Sequence, residues 1–400
     1  MLLTNSLGMR KEPFTPRDGH VGIYVCGVTP YDTTHAGHAF TYISFDVLIR
    51  FLRYRGVRVT YVQNVTDIDD DILRKAKQVG LTWLELGRQE TARFRADMDA
   101  LNWIAPDHYP LATEEIPEIV RIATGLIEKG FAYVKNGSVY YEVRKDPTFG
   151  ELAGLGYDEA LAIANERGNY PDDPNKRDPL DFVLWQAAQP GEPTWSSPWG
   201  EGRPGWHIEC SAMSTRYLGA TVDIHGGGSD LIFPHHSCET AQTERYTGVK
   251  PFVRCWMHSA MVQLDGVKMS KSLGNLVMAR DVLARAPADA MRLYLSNHHY
   301  RQAWDWREPE FNQARAWAGA IAAAANGPDG AAGRAELDAG PYRSRFLNAL
   351  DDDLRTPDAV AALRDLATAV GAARPTHDVT AARETLRDLG GRILGLTFRE

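Results

Sequence analysis

The sequence predicts an α/β fold: a parallel-sheet domain split by an insertion and followed by an α-helical bundle. Three observations predict it. Apolar strand runs alternate with apolar-periodic helices in two separate stretches, a segment rich in Pro, Gly, Asp and Trp over about 157–205 parts them, and the pattern beyond about 275 is helical.

Along the chain, VGIYVCG from Val21 reads as a buried strand, 41–55 as an apolar-periodic helix and VRVTYVQ as a second strand. Strand, helix, strand in that order make a parallel unit. Helical patterns cover about 71–101 and 115–129, SVYYEV reads as a strand of a small hairpin, and 157–205 reads as irregular. Alternation resumes with WHIECSAMSTRYLG as a helix, VDIHGGG as a strand running into a glycine loop, DLIFPHHSCETAQTERYTG as a helix and FVRCWMHSAMV as a strand. IAAAANGPDGAAG reads as a flexible break within the helical region. The expected divisions are 1–114 and 206–275 for the two halves of the sheet domain, 115–205 for a connective insertion and 276–400 for the bundle.

A chain of 400 residues accommodates two or three domains. Its net charge of -8 argues against a protein that coats nucleic acid, while leaving room for a local basic face toward one folded RNA. The four cysteines, Cys26, Cys210, Cys238 and Cys255, make no disulfide framework in a chain this long. Without an apolar run of about 18 residues or a signal-peptide pattern, a cytoplasmic protein with no membrane segment is expected.

THAGHAF places His35 and His38 beside Gly37 just past the first strand, and KMSKS places Lys268 and Lys271 just past the last. A glycine lets a nucleotide approach the backbone, and histidines and lysines supply donors for charge building on a triphosphate. Alone, the histidine pair reads equally as ordinary loop residues, and KMSKS alone reads more readily as a solvated lysine loop. Gly226, Gly227 and Gly228 follow a strand, as nucleoside-cradling loops and plain tight turns both do.

His235 and Glu239 are four apart in a predicted helix and so share a face. Cys26 ends the first strand and Cys210 lies in GWHIEC, both near the carboxyl edge of the sheet, where α/β ligands bind. Two thiolates, an imidazole and a carboxylate suit zinc. The plainer reading makes the cysteines small core residues. His236 reads as packing or as support behind a ligand, and Cys238 and Cys255 as structural.

Together and in this order, the two motifs resemble the signatures of class I aminoacyl-tRNA synthetases. YVCGVTPYD, YVQNVTDIDDDIL, DPLDFVLW, GEPTWSSPWGEGRPGWHIECSAM, DIHGGGSDLIFPHH, MHSAMV and KMSKSLGN resemble the cysteine-activating branch of that family, nearly throughout the chain to about residue 300. The resemblance implies a Rossmann-like catalytic domain that forms cysteinyl-adenylate from L-cysteine and ATP with Mg2+. It implies that His35, His38, Lys268 and Lys271 stabilise the α-phosphate under attack. Thr34, Gly37, Gly226, Gly227, Gly228 and Asp230 would bind ATP, while Gly27, Thr66, Trp206 and His225 would frame the cysteine. Cys26, Cys210, His235 and Glu239 would hold one zinc that grips its thiol. Serine differs from cysteine by one atom, which shape alone discriminates by only about 1 to 3 kcal/mol. Direct coordination of a soft thiolate supplies the rest.

Two acceptors fit this branch: tRNA(Cys), and the amine of a glucosaminyl-inositol in the mycothiol-pathway ligase. Pro30, Phe40, Asp71, NERGNYPDDPNK and an end at LGLTFRE, short of an anticodon-reading domain, lean toward the amino sugar. Glu239, Ala241, Gln242 and the helical region ending RETLRDLGGRILGL lean toward tRNA, the preferred expectation. A catalytically silent binding protein is the remaining alternative, disfavoured by intact signature residues. A monomer is expected.

Overall fold

The computed structural model describes all residues except 32–33, 270–272, 331–333 and 400. Lys271 therefore lies outside the described residues. A short hairpin, β1 (Leu2–Asn5) and β2 (Arg10–Pro13), precedes β3 (His20–Val28). Alternate side chains of β3 feed different cores: Val21, Ile23 and Val25 pack on one face, Tyr24 and Cys26 on the other. A strand buried on both faces belongs inside a parallel sheet. β3 lies next to β4 (Arg58–Val65), and the full four-stranded order is β11-β10-β3-β4, all parallel.

α1 (Ala36–Tyr54) connects β3 to β4 and starts at Ala36, ahead of the expected 41. His35 caps it: the Gly37 N–H donates to His35 Nδ1 at 3.1 Å, so the apparent loop histidine is a helix terminus. The expected helix over 71–101 is two helices, α2 (Asp70–Val79) and α3 (Trp83–Ala100). Gly80, with φ 72, ends the first, and a Thr82–Glu85 capping box starts the second.

After α4 (Ile116–Glu128), the insertion has its expected hairpin at SVYYEV, but the stretch read as irregular departs from expectation. The insertion is a five-stranded antiparallel sheet of β5 (Ala132–Lys135), β6 (Ser138–Tyr141), β7 (Phe182–Ala187), β8 (Trp195–Ser197) and β9 (Gly200–Pro204), ordered β5-β6-β7-β9-β8. α5 (Tyr157–Glu166) sits between β6 and β7. Leu184 and Trp185 are buried in a core shared with α4, which anchors strands too short to show a period.

The second half of the parallel sheet is α6 (Trp206–Leu218), β10 (Val222–Gly228), α7 (Ser237–Thr247) and β11 (Val253–Ser259). The helix expected from Asp230 begins only at Ser237, because Phe233 before Pro234 is extended (φ -140, ψ 135). β12 (Val262–Leu264) and β13 (Val267–Lys268) form a hairpin that adds β14 (Trp304–Asp305). α8 (Ala279–Leu283), α9 (Ala288–Ser296), α10 (Glu308–Asn326), α11 (Gly340–Asp351), α12 (Thr356–Ala373) and α13 (Thr380–Arg387) complete the chain. The first half of the expected flexible break is helical, since α10 continues to Asn326. No described helix is long and apolar enough to cross a membrane.

Candidate active site and metal centre

The two central strands, β3 and β10, send their connections in opposite directions, α1 toward β4 and α7 toward β11. A crevice opens beyond the carboxyl ends of such a strand pair. Parallel register sets one row of rings across it: Tyr24 pairs with His225 and His225 with Trp256, with ring centroids 4.8 and 4.5 Å apart. Further along, the glycine run makes space. A Cβ on Gly226 would lie 1.8 Å from the Met257 carbonyl oxygen and 2.6 Å from the Phe45 ring, and one on Gly227 would lie 2.8 Å from Leu231.

Four donors converge in this crevice. Cys26 Sγ is 3.7 Å from Cys210 Sγ and 3.5 Å from Glu239 Oε1, and His235 Nε2 is 3.1 Å from that same oxygen. All four donor atoms lie within 4.8 Å of one another and are buried. A tetrahedral ion with bonds of about 2.3 Å to sulfur and 2.0 Å to oxygen sets S–S edges of about 3.8 Å and S–O edges of about 3.5 Å. The set fits a tetrahedral cation, and although His235 precedes α7 it still meets Glu239.

A second combination, Cys26, His225, His236 and Glu239, also converges. His236 Nε2 is 3.2 Å from Cys26 Sγ, and its Nδ1 is 2.7 Å from His258 Nε2, whose own Nδ1 meets Ser6 Oγ at 2.7 Å. His207 Nδ1 backs His235 Nδ1 at 2.9 Å. Burial raises the Cys26 thiol and the Glu239 carboxyl and holds His207, His225 and His236 uncharged. Burial also opposes ionisation of Cys210, but its bond from Cys26 and the His235 ring bring that thiol down. A cation in the cluster favours the deprotonated ligands that burial alone disfavours.

Two of the residues expected to frame the cysteine, Trp206 and His225, lie against these donors. Trp206, the first residue of α6, stacks on His235 with centroids 4.2 Å apart. His225 Nε2 lies 3.7 Å from Cys26 Sγ, and its Nδ1 has no hydrogen-bond partner among the described residues. Asn64 links the ends of β3 and β4, accepting from the Gly27 N–H at 2.8 Å and donating to Thr66 Oγ1 at 3.2 Å.

The His35 and His38 rings stack at 3.8 Å. The first motif is pinned to the segment after the lysine loop: the Ala36 N–H donates to the Val277 carbonyl at 2.8 Å and the Ala279 N–H to the Thr34 carbonyl at 2.9 Å. Lys268 Nζ, half exposed, pairs with Asp230 Oδ2 at 3.2 Å, which joins β13 to the loop after the glycines. Cys238 and Cys255 are buried in apolar clusters and belong to neither donor set; burial pushes the Cys255 thiol up to about 12. Sequence reasoning missed His207 and His258 as supports of the donor cluster. Their signal was available, since both lie in motifs at the carboxyl edge, WHIEC and MHSAMV.

Residues 14–316 match the family model of the class I (C) tRNA synthetase catalytic domain, and residues 345–399 match that of the DALR domain. A cysteine--tRNA ligase of Dehalococcoides mccartyi is 44% identical over 402 residues, covering 100% of this chain and 86% of that relative. One from Salmonella arizonae is 46% identical, covering 99% of this chain and 85% of its own length. Among solved structures, a Mycobacterium tuberculosis methionyl-tRNA synthetase superposes with a TM-score of 0.68 at 14% identity, covering 96% of this chain and 93% of that one. A LeuRS–tRNA complex from Agrobacterium radiobacter gives 0.67 at 12% identity, covering 96% and 84%. At such low identities these two structures show the fold alone.

Proposed function

The chain belongs to the cysteine branch of the class I tRNA synthetases, and on that premise we propose that it activates L-cysteine with ATP and transfers it to tRNA(Cys). The observation that carries this reading is the buried convergence of Cys26, Cys210, His235 and Glu239 beside Trp206 and His225. A donor set of two sulfurs, one nitrogen and one oxygen suits zinc, one per chain, which when bound would take the substrate thiolate as an additional ligand and so separate cysteine from serine.

Around it, Gly226 to Gly228 leave backbone open to the adenosine. His35, His38 and Lys268 face the triphosphate, with Lys271 and Mg2+ completing the charge balance. Lys268 leaves Asp230 when the phosphates offer a stronger partner. The near-full-length identity to curated cysteine--tRNA ligases and the DALR match favour tRNA over a small amino sugar as acceptor. A cytoplasmic location accords with four unbridged cysteines.

The test is cysteine-dependent exchange of pyrophosphate into ATP by zinc-replete protein, followed by a choice between tRNA(Cys) and glucosaminyl-inositol. We expect exchange and charging of tRNA. Absence of exchange refutes activation, whereas exchange with turnover of the amino sugar alone refutes the acceptor.

A further inference from the structure

Among the described residues, Glu209 is the one carboxylate whose two oxygens are both buried and both without a hydrogen-bond partner. It lies in the first turn of α6, three residues after Trp206 and one before the donor Cys210. Residues three apart on a helix share a face, so Glu209 sits on the side of α6 that presents Trp206 to His235. Burial pushes the Glu209 carboxyl well up, and an acid with neither oxygen partnered is one that a bound cation would stabilise in its charged form.

The surroundings call for a cation. Cys210 first, then Asp67 and Asp69 just past Thr66, act on Glu209 and add negative charge. Both aspartates have partners of their own: Asp67 accepts from the Thr113 N–H at 3.0 Å and its hydroxyl at 2.6 Å, and Asp69 caps α2 through the Asp71 N–H. Arg203, the positive group that acts on Glu209, is already bound to Glu192 at 2.8 Å and to Asp70. The arginine that would offset this negative charge is thus engaged elsewhere.

L-Cysteine carries one cation, its α-ammonium, separated from the sulfur only by Cβ and Cα. We propose that Glu209 receives the α-ammonium of the substrate cysteine, so that the site selects an amino thiol rather than any thiol. The inference rests on the cysteine-activating reading above. Its consequence is exclusion: a thiol with a blocked or missing amine leaves Glu209 buried and unpaired, a penalty that the thiol grip alone does not impose. An amine on the acceptor is the other source of an ammonium, and confining the experiment to the activation half-reaction, with no acceptor present, separates the two.

The experiment uses the full-length, zinc-replete protein and measures pyrophosphate exchange with L-cysteine, inhibition by 3-mercaptopropionate, which lacks the amine, and metal content. Wild type is expected to bind 3-mercaptopropionate roughly tenfold or more weakly than cysteine. Glu209→Gln, close to isosteric, is expected to raise the KM for cysteine by a similar factor with a smaller change in kcat, leaving 3-mercaptopropionate inhibition and metal content unchanged. Equal binding of the two thiols by wild type overturns the proposal without any variant. So does an unchanged KM in Glu209→Gln, or equal weakening of both thiols, which marks a role through Cys210 and the metal. Failure of wild type to exchange at all strikes the cysteine-activating reading instead.

Discussion

A sulfur ligand and an oxygen ligand of the same shape are not equivalent to a zinc ion, and Cys210 is where this difference is most exposed to test. Its Sγ lies 3.7 Å from Cys26 Sγ, close to the edge length of a tetrahedral site. Cys210→Ser keeps the volume but replaces a soft donor with a hard one. Metal analysis is expected to fall from about one zinc per chain to well below it, and serine is expected to compete with cysteine in the exchange assay. Retained zinc with unchanged discrimination refutes the assignment. The same chemistry sets a pH sign: protons compete with the metal for thiolate and imidazole, so dialysis at acidic pH is expected to strip metal that alkaline pH retains. These four donors were legible because their residue types and local motifs announce them. His207 and His258 carried a signal through their motifs, WHIEC and MHSAMV, whereas Glu209 gains its meaning from burial without a partner, which no local pattern announces.

Element boundaries follow from caps and breakers, and α2 shows how a cap is reconciled with burial. Asp69 caps α2, and burial raises its carboxyl to about 6. The unfolded value is about 3.9, so the folded state holds the proton more tightly. Its contribution is therefore most favourable below about pH 4 and becomes a cost as pH rises through 6. Asp69→Asn keeps an acceptor for the cap and removes the buried charge. Chemical denaturation is expected to show a gain on the order of 1 to 3 kcal/mol at pH 7.5 that vanishes near pH 4. An equal shift at both values refutes the account. Sequence pattern found the long elements, but it merged α2 with α3 across Gly80 and read β7 to β9 as irregular. Their pairing is with β6 and with one another, and three to six residues per strand give no period to read.

At the scale of the molecule, the sequence pattern divides sheet domain from helical bundle near residue 275, yet the apolar core does not stop there. Val21, Ile23 and Val25 of β3 and most of the buried face of α1 belong to one cluster with Phe311, Leu363 and Leu386 of α10, α12 and α13. Arg292, fully buried in α9, fastens the joint. It donates to the Leu101 carbonyl at 2.7 Å, to the Leu394 carbonyl at 2.6 Å and to Asp46 of α1. Asp46 also accepts from Arg50 at 2.8 Å and from the Ile104 N–H at 2.7 Å. Removing one partner of a buried pair leaves the other charge under-compensated, at a cost of about 3 kcal/mol here, the low end of the range because Arg50 remains. Arg292→Met is expected to lower stability by that amount in urea unfolding, and adding Asp46→Asn is expected to restore part of the loss. Because the core is shared, the transition is expected to shift as one event rather than split into two. Two separated transitions in Arg292→Met, with α1 retained and the bundle melted first, would show that the bundle is an independent unit and that the histidines at the head of α1 do not depend on it.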